Sequence, residues 1–449
     1  MGKNRERRES LVYHAKPRPG KIEVIPTKKY NSQRDLAIAY SPGVAIPCQE
    51  IEKNPSNVYK YTNKSNLVAV ISNGTAVLGL GDIGPAASKP VMEGKALLFK
   101  IFADIDVFDI EINEKDPDKF IEVVKAISTT FGGINLEDIK APEAFKIEKE
   151  LVDQLDIPVM HDDQHGTAII SAAALLNALE LVDKNIKDVK IVVSGAGAAA
   201  IACTKLYLSF GAQLKNILMT DSKGVINKSR RGLSKEKKFF ASNRDIDTLE
   251  QAMVDSDVFV GLSMANILSE KMLKTMARDP IVFAMANPDP EISYDKAMSA
   301  REDIIFATGR SDLPNQVNNV LGFPFIFRGA LDVRATKINE EMKKAAVVAL
   351  AELAKKPVPE QVNIAYDETK LNFGKDYIIP KPFDPRLISE IPPAVAKAAI
   401  DSGVAQEPIT DWDKYTEILD ERLGNNQKLI RIIHRLSLIH ISEPTRRRG

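Results

Sequence analysis

The sequence predicts an α/β protein of two domains, the second a doubly wound parallel sheet, and three observations carry that reading. The chain has 449 residues, beyond the size at which one hydrophobic core stops growing, so two units of roughly 150 to 250 residues are expected. Between Asp188 and Asp221 an apolar strand, a glycine turn, an apolar helix and a second strand follow one another in the length that one βαβ unit needs. Further short apolar runs at Val258–Val260, Ile281–Ala284 and Ile304–Ala307 alternate with helical text, the pattern of a parallel sheet.

The elements read in order as follows. The first 18 residues form a basic N-terminal arm, and the text up to Ser32, punctuated by Lys16-Pro17-Arg18-Pro19-Gly20, reads as extended. From Asn66 to Leu80 an Asn-Gly pair between two apolar runs predicts a hairpin. A helix carrying Lys95 follows, then a strand near Ile105–Ile112. A long helix is expected from about Ala335 to Lys356, and the proline-rich text from Pro380 to Pro393 is expected to close the globular part. The resulting division is 19–155 for the first domain, 156–400 for the second and 401–435 for a C-terminal linker.

Composition excludes several classes of partner. Lys and Arg number 61, as do Asp and Glu, so charge favours neither nucleic acid nor an anionic membrane. Two cysteines, Cys48 and Cys203, are too few for a disulfide framework, and no leader-like or membrane-spanning apolar stretch appears. A cytoplasmic location is the expectation.

Two segments have dinucleotide-binding spacing. Gly79-Leu80-Gly81-Asp82-Ile83-Gly84 lies after the expected hairpin and runs into Pro85. Gly195-Ala196-Gly197-Ala198-Ala199-Ala200 follows the strand Val189–Val193, opens a helix and is followed by a strand ending at Asp221. The second therefore reads as the Rossmann phosphate turn, with Gly195, Gly197, Ala198 and Ala200 against the pyrophosphate. Asp221 stands where a carboxylate would hold the ribose hydroxyls of NAD, while Lys223 is placed to meet the 2′-phosphate of NADP. These residues alone leave both coenzymes open.

Acidic pairs occur at Glu137-Asp138 and Asp162-Asp163, each after an apolar run. Three oxygens drawn from two such loops suit a hard divalent cation such as Mg²⁺ or Mn²⁺. His161 and His165 have helical i, i+4 spacing, but they flank a strand-to-helix junction without an intervening Glu, so they read as orienting or structural groups rather than zinc ligands. Lys95 lies in apolar text, where desolvation would depress its pKa and fit it for a base. Tyr40 ends a helix-like run just before Ser41-Pro42-Gly43.

Taken together, Ala39–Val44, Gly74–Gly84, Met92–Lys95, Gly133–Lys140, His161–Ala168, Ser194–Ala200, Ala286–Pro288 and Gly309–Gly329 resemble malic enzymes. The resemblance is to the bacterial NADP-dependent kind, whose malic enzyme module precedes a phosphotransacetylase-like domain, and it runs from about Lys16 to Ile418. It implies an N-terminal malic-enzyme domain before the Rossmann domain, with oxidation and decarboxylation of malate to pyruvate by NADP. It also implies that the enzyme can decarboxylate oxaloacetate and forms a homo-oligomer. By the same resemblance Tyr40 is the general acid, Lys95 the general base and Asp162 its orienting partner. Glu137, Asp138 and Asp163 are the implied metal ligands, and Asn287, Asn318 and Asn319 lie around nicotinamide and substrate.

Two departures stand out. Larger eukaryotic malic enzymes carry an arginine where this chain has Gly74-Thr75-Ala76-Val77, which leaves Arg310 as the candidate grip on the malate carboxylate. The stretch Leu436–Arg446 resembles translated sequencing-adaptor text, so 436–449 is expected to be a non-native tail. The competing readings are a metal-independent two-domain amino-acid dehydrogenase and a dinucleotide-binding regulatory protein without catalysis.

Overall fold

The structure, a computed structural model, describes residues 2–422 apart from Leu78, Pro288 and Thr369, with side chains from Arg5 onward. The expected tail at 436–449 lies outside the described residues. Two sheets organise the chain. The first is β1 (Leu67–Ser72), β2 (Asp106–Glu111), β3 (Gly133–Leu136) and β4 (Val159–His161), in the order β2-β1-β3-β4 with every pair parallel.

The second sheet holds β5 (Ile191–Ser194), β6 (Ile217–Asp221), β7 (Gly224–Val225), β8 (Val258–Gly261), β9 (Ile281–Ala284) and β10 (Ile305–Thr308). Its order is β10-β9-β8-β5-β6-β7, parallel except for the short β6–β7 pair. Strand order reverses between β5 and β8, so the doubly wound expectation is met and a ligand crevice opens at their carboxyl ends.

The hairpin expected from Asn66 to Leu80 does not form. All six residues of β1 are buried, and it pairs in parallel with both β2 and β3. A central parallel strand reads as a continuous apolar run, which locally resembles one arm of a hairpin. The second run instead makes an isolated bridge, Val77 to Gly81, inside a loop. Gly79–Gly84 therefore lies within a βαβ unit of β1, the helix Pro85–Ala103 and β2, a context the local text did not reveal.

The helix Asp162–Leu181 starts directly at the end of β4, past residue 155, and is buried on most of its surface. It packs along the helices Ala198–Ser209 and Glu340–Lys355 and so joins the two sheets. Two terminal expectations also change. Gly2–Ala15 is helical rather than extended, with an Arg5–Glu9 pair at the helical i, i+4 spacing. Pro392 and Pro393 lie inside the helix Leu387–Asp401 instead of closing the fold. That helix buries its apolar face against Phe323–Asp332 and Glu340–Lys355, and this packing overrides the several kcal/mol that an interior proline costs. Beyond residue 401, Tyr415 and Leu419 are buried in the main core.

One buried cation ties the segment of Tyr415 to the start of β1. The guanidinium of Arg328 donates to both Asp332 oxygens at 2.9 and 2.5 Å and to Asn66 Oδ1 at 2.6 Å. The Tyr415 hydroxyl donates to Asp332 Oδ2 at 2.8 Å. Arg328→Ala leaves the half-buried Asp332 and Asn66 without this partner and empties a buried site, so it is expected to lower stability by about 3–5 kcal/mol. Urea unfolding followed by fluorescence measures this, and a loss within 1 kcal/mol would show that water replaces the guanidinium.

Candidate active site

The carboxyl ends of the first sheet gather the acids. Leu136, the last residue of β3, is in register with Ile71 of β1 and His161 of β4, so Glu137, Asp138, Asp162 and Asp163 emerge at one edge. Asp138 has φ +53°, an uncommon left-handed conformation, and its N–H donates to Asp163 Oδ2 at 2.8 Å. Candidate ligand atoms of Glu137, Asp138 and Asp163 lie within 4.8 Å of one another. Three converging carboxylates, two of them buried, fit a hard divalent cation.

Lys95 enters this cluster from the helix Pro85–Ala103. Its Nζ lies 2.7 Å from Asp162 Oδ2, 2.9 Å from Glu137 Oε1 and 4.4 Å from the Phe323 ring centre. Burial pushes the ammonium down, but Asp162 and then Glu137 outweigh it and its pKa is raised. The expected depression is thus reversed, because the carboxylates come from β3 and β4 and not from the local apolar text. Burial, against the pull of Lys95, and then the neighbouring acids push Glu137 well above the usual carboxylate range.

The next shell fixes Asp162. Asn319 Nδ2 donates to Asp162 Oδ2 at 3.0 Å, and Thr167 Oγ1 donates to Asn319 Oδ1 at 3.1 Å. The Asn319 amide is therefore already engaged with Asp162. Gly166 sits one turn along the same helix, and a Cβ there would lie 2.0 Å from Asp162 Oδ1. Asn318 caps the short helix Asn319–Leu321 by accepting from Val320 N–H. Asn287 is exposed beyond β9 and lies against Gly309, while Arg310 pairs with Asp312 at the surface.

Glu148 holds the neighbouring segment. It accepts from His161 N–H at 2.8 Å and faces the His165 ring at 2.9 Å. Burial pushes its carboxyl up, but His165, Lys343 and His161 outweigh this and hold it down to about 2.

The dinucleotide turn forms a second site at the switch point. Gly195 has φ +116°, and a Cβ there would lie 2.4 Å from Leu262 O, so both conformation and space demand glycine. Gly197 caps the helix Ala198–Ser209, whose Ala200 is buried against the sheet. A cleft of about 720 Å³ runs past Gly195, Asp221, Ser263 and Met264 to Ala141, Pro142 and Phe145, just downstream of the first acidic pair. Asp221 is not bare: Arg230 and Lys237 reach its Oδ2 at 2.9 and 2.8 Å. Burial raises this carboxyl, but the two cations hold it below the usual range. Lys223 is exposed, and its backbone N–H donates to Asp221 Oδ1 at 2.9 Å.

Sequence reasoning missed Arg230, Lys237, Phe323, Thr167 and Glu148. The run of basic residues from Lys228 to Lys238 was the available signal for the first two. Of the two expected proton-transfer residues, Lys95 joins the cluster and Tyr40 does not. Tyr40 caps the helix Gln33–Ala39, is 77 % exposed, and its hydroxyl bonds to none of the described residues.

The fold and site define a two-domain dinucleotide-binding protein with an acidic centre next to its coenzyme cleft. Within that class the chain belongs to the malic enzyme family. Residues 19–152 match the malic enzyme N-terminal domain, and 164–368 match the malic enzyme NAD binding domain. An NADP-dependent malic enzyme of Halomonas elongata is 58% identical over 403 residues, covering 90% of this chain and 96% of that one. One from Salmonella typhimurium is 61% identical over 417 residues, covering 92% of this chain and 55% of that one. The chain therefore spans about half the length of that relative. The crystal structure of malic enzyme from Pyrococcus horikoshii superposes with a TM-score of 0.86 at 40% identity, covering 96% of this chain and 98% of that one.

Glu148 gives a pH test of this centre. Its depressed carboxyl stabilises the fold fully above about pH 4.5, and that contribution is lost as pH falls through about 2. Glu148→Gln is expected to remove this part of the acid dependence, read as urea midpoints across the range. An unchanged acid limb would show that other carboxyls govern it.

Proposed function

We propose that the protein oxidises and decarboxylates malate to pyruvate and CO₂, with NADP as hydride acceptor and Mg²⁺ or Mn²⁺ as cofactor, as a cytoplasmic homo-oligomer. The observation that carries this reading is the buried Lys95–Asp162 pair set directly against Glu137, Asp138 and Asp163. Neither a metal-independent dehydrogenase nor a regulatory protein calls for three converging acids around one buried amine.

Glu137, Asp138 and Asp163 would hold the cation, which when bound supplies Lewis-acid polarisation of the substrate C2 oxygen. With Glu137 engaged there, Lys95 keeps Asp162 as its counter-charge. With a cation's charge beside it, the Lys95 ammonium would shed its proton to Asp162, 2.7 Å away, and the neutral amine then takes the C2 hydroxyl proton as the C2 hydride passes to the dinucleotide. Asp162, itself fixed by Asn319 and Thr167, aims the amine. Loss of the carboxylate next to C3 as CO₂ leaves an enolate, which Tyr40 protonates at C3 to yield pyruvate. Oxaloacetate enters the same sequence at its second step.

The ion pairs of Asp221 support NADP over NAD. A carboxylate already shared by Arg230 and Lys237 is a poor acceptor for ribose hydroxyls, and those two cations suit a 2′-phosphate.

The test is an absorbance assay with malate, Mn²⁺ and each dinucleotide, in which NADP should be reduced as pyruvate accumulates. No turnover with either dinucleotide would overturn the reading. Asp163→Ala should weaken Mn²⁺ binding at least about tenfold, measured directly by electron paramagnetic resonance, since one of three anionic oxygens is lost. An unchanged isotherm would remove Asp163 from the ligand set. Arg230→Ala with Lys237→Ala should weaken NADPH about tenfold or more and leave NADH little changed, followed by coenzyme fluorescence. Equal losses for both would assign these cations to folding alone.

A further inference from the structure

We infer that Glu291 is a positioning residue for hydride transfer: its carboxylate locks together the two loops that form the nicotinamide side of the coenzyme crevice. The inference rests on the crevice holding a dinucleotide and uses the malate reading only for its activity readout.

The sheet fixes where these loops begin. β8 and β9 run parallel, with Gly261 in register with Ala284, and Met285 N–H donates to Gly261 O at 3.1 Å just past the last pair. The next donors on the two chains turn to one acceptor. Ser263 N–H reaches Glu291 Oε1 and Ala286 N–H reaches Glu291 Oε2, both at 3.1 Å. Main-chain bonds extend the union, from Asn266 N–H to Pro290 O at 3.1 Å and from Leu268 N–H to Glu291 O at 3.0 Å. The loop after β8 and the loop after β9 are thereby tied into one body.

A carboxylate is a costly tie in this place. Glu291 is fully buried and makes no ion pair with any of the described residues, so the two N–H groups must compensate its charge. Burial pushes the carboxyl up, and the N–H groups of Ala286 and Ser263 oppose it. An apolar side chain of similar size would fill the space but strand both donors. The backbone also makes room for the acid: a Cβ at Gly261 would lie 2.3 Å from Glu291 Cδ. Glycine on the strand and acid on the loop are built for one another.

What they hold is the reacting half of the coenzyme. The turn at Gly195 takes the pyrophosphate and Asp221 on β6 marks the adenosine side, so the nicotinamide crosses the switch point towards β8 and β9. Leu262 and Ser263 line that cleft, and Ser263 Oγ lies 3.0 Å from Ser194 Oγ at the start of the turn. Asn287 follows Ala286 directly and lies against Gly309. Loss of the clamp therefore leaves the anchors of the adenosine half in place and loosens the ring.

The experiment is Glu291→Gln, whose amide offers one acceptor oxygen and turns a donor towards the other N–H. The variant should bind NADPH with an affinity close to that of the wild type, but without the change in nicotinamide emission that a held ring gives. Its kcat for malate oxidation should fall about 10- to 100-fold, the scale on which misplacing a reacting group acts. The deuterium isotope effect on kcat, with malate labelled at C2, should rise as hydride transfer becomes limiting. Decarboxylation of added oxaloacetate transfers no hydride and should keep most of its rate.

Wild-type emission and kcat in this variant would overturn the inference. So would equal losses in both reactions, which would make Glu291 a folding residue. Should the amide variant not fold, Glu291→Asp carries the same test, because its shorter side chain keeps the charge but cannot span both N–H groups; wild-type behaviour there would overturn the inference equally. A wild type that never oxidises malate defeats the malate reading alone, since the NADPH emission comparison needs no substrate.

Discussion

One ammonium among four carboxylates is the constraint on which the rest of the site depends. Charges this close cannot stay buried and ionised without compensation, and Lys95 supplies it to Asp162 and Glu137 directly. The acids are drawn from two strand ends and the amine from a helix, so the first sheet must be assembled before the charges can balance. Asp138 accepts a strained backbone to share in the arrangement, and Asn319, itself held by Thr167, donates to the same Asp162 oxygen that Lys95 meets. A bound cation would enter a place already shaped by this repulsion.

The second sheet applies similar logic to the coenzyme. Gly195 makes room for phosphate by geometry, while Asp221 acts through charge. The carboxylate at the end of β6 is the usual mark of a ribose diol, but here it anchors two cations at the rim of the cleft. On the proposed reading, the choice between the two coenzymes comes down to which anion Arg230 and Lys237 face.

Much of this was legible in the sequence where a residue type has a local reason. The turn at Gly195–Ala200 was legible because strand, glycine and helix adjoin in the text, and the acids because each pair follows an apolar run. What escaped notice depends on partners distant in sequence. β1 looked like a hairpin arm because its neighbours, β2 and β3, begin 39 and 66 residues after its first residue. Lys95 looked like a depressed amine because Asp162 lies 67 residues away. Arg230 and Lys237 resembled solvated surface charge until the loop brought them to Asp221. Pro392 and Pro393 read as breakers because helix packing is a tertiary property. Tyr40 had a legible identity, but no local pattern fixes what it faces.

The helix Asp162–Leu181 carries a mechanical consequence. Its first turn bears Asp162 and Asp163, and its length lies against the helix that the dinucleotide turn opens. No loop intervenes between the two attachments to absorb a displacement. Any rocking of the coenzyme half against the first sheet therefore swings the two aspartates with it, like a crank fixed at both ends. Opening the crevice would in the same stroke bear on the spacing of Asp163 from Glu137 and Asp138.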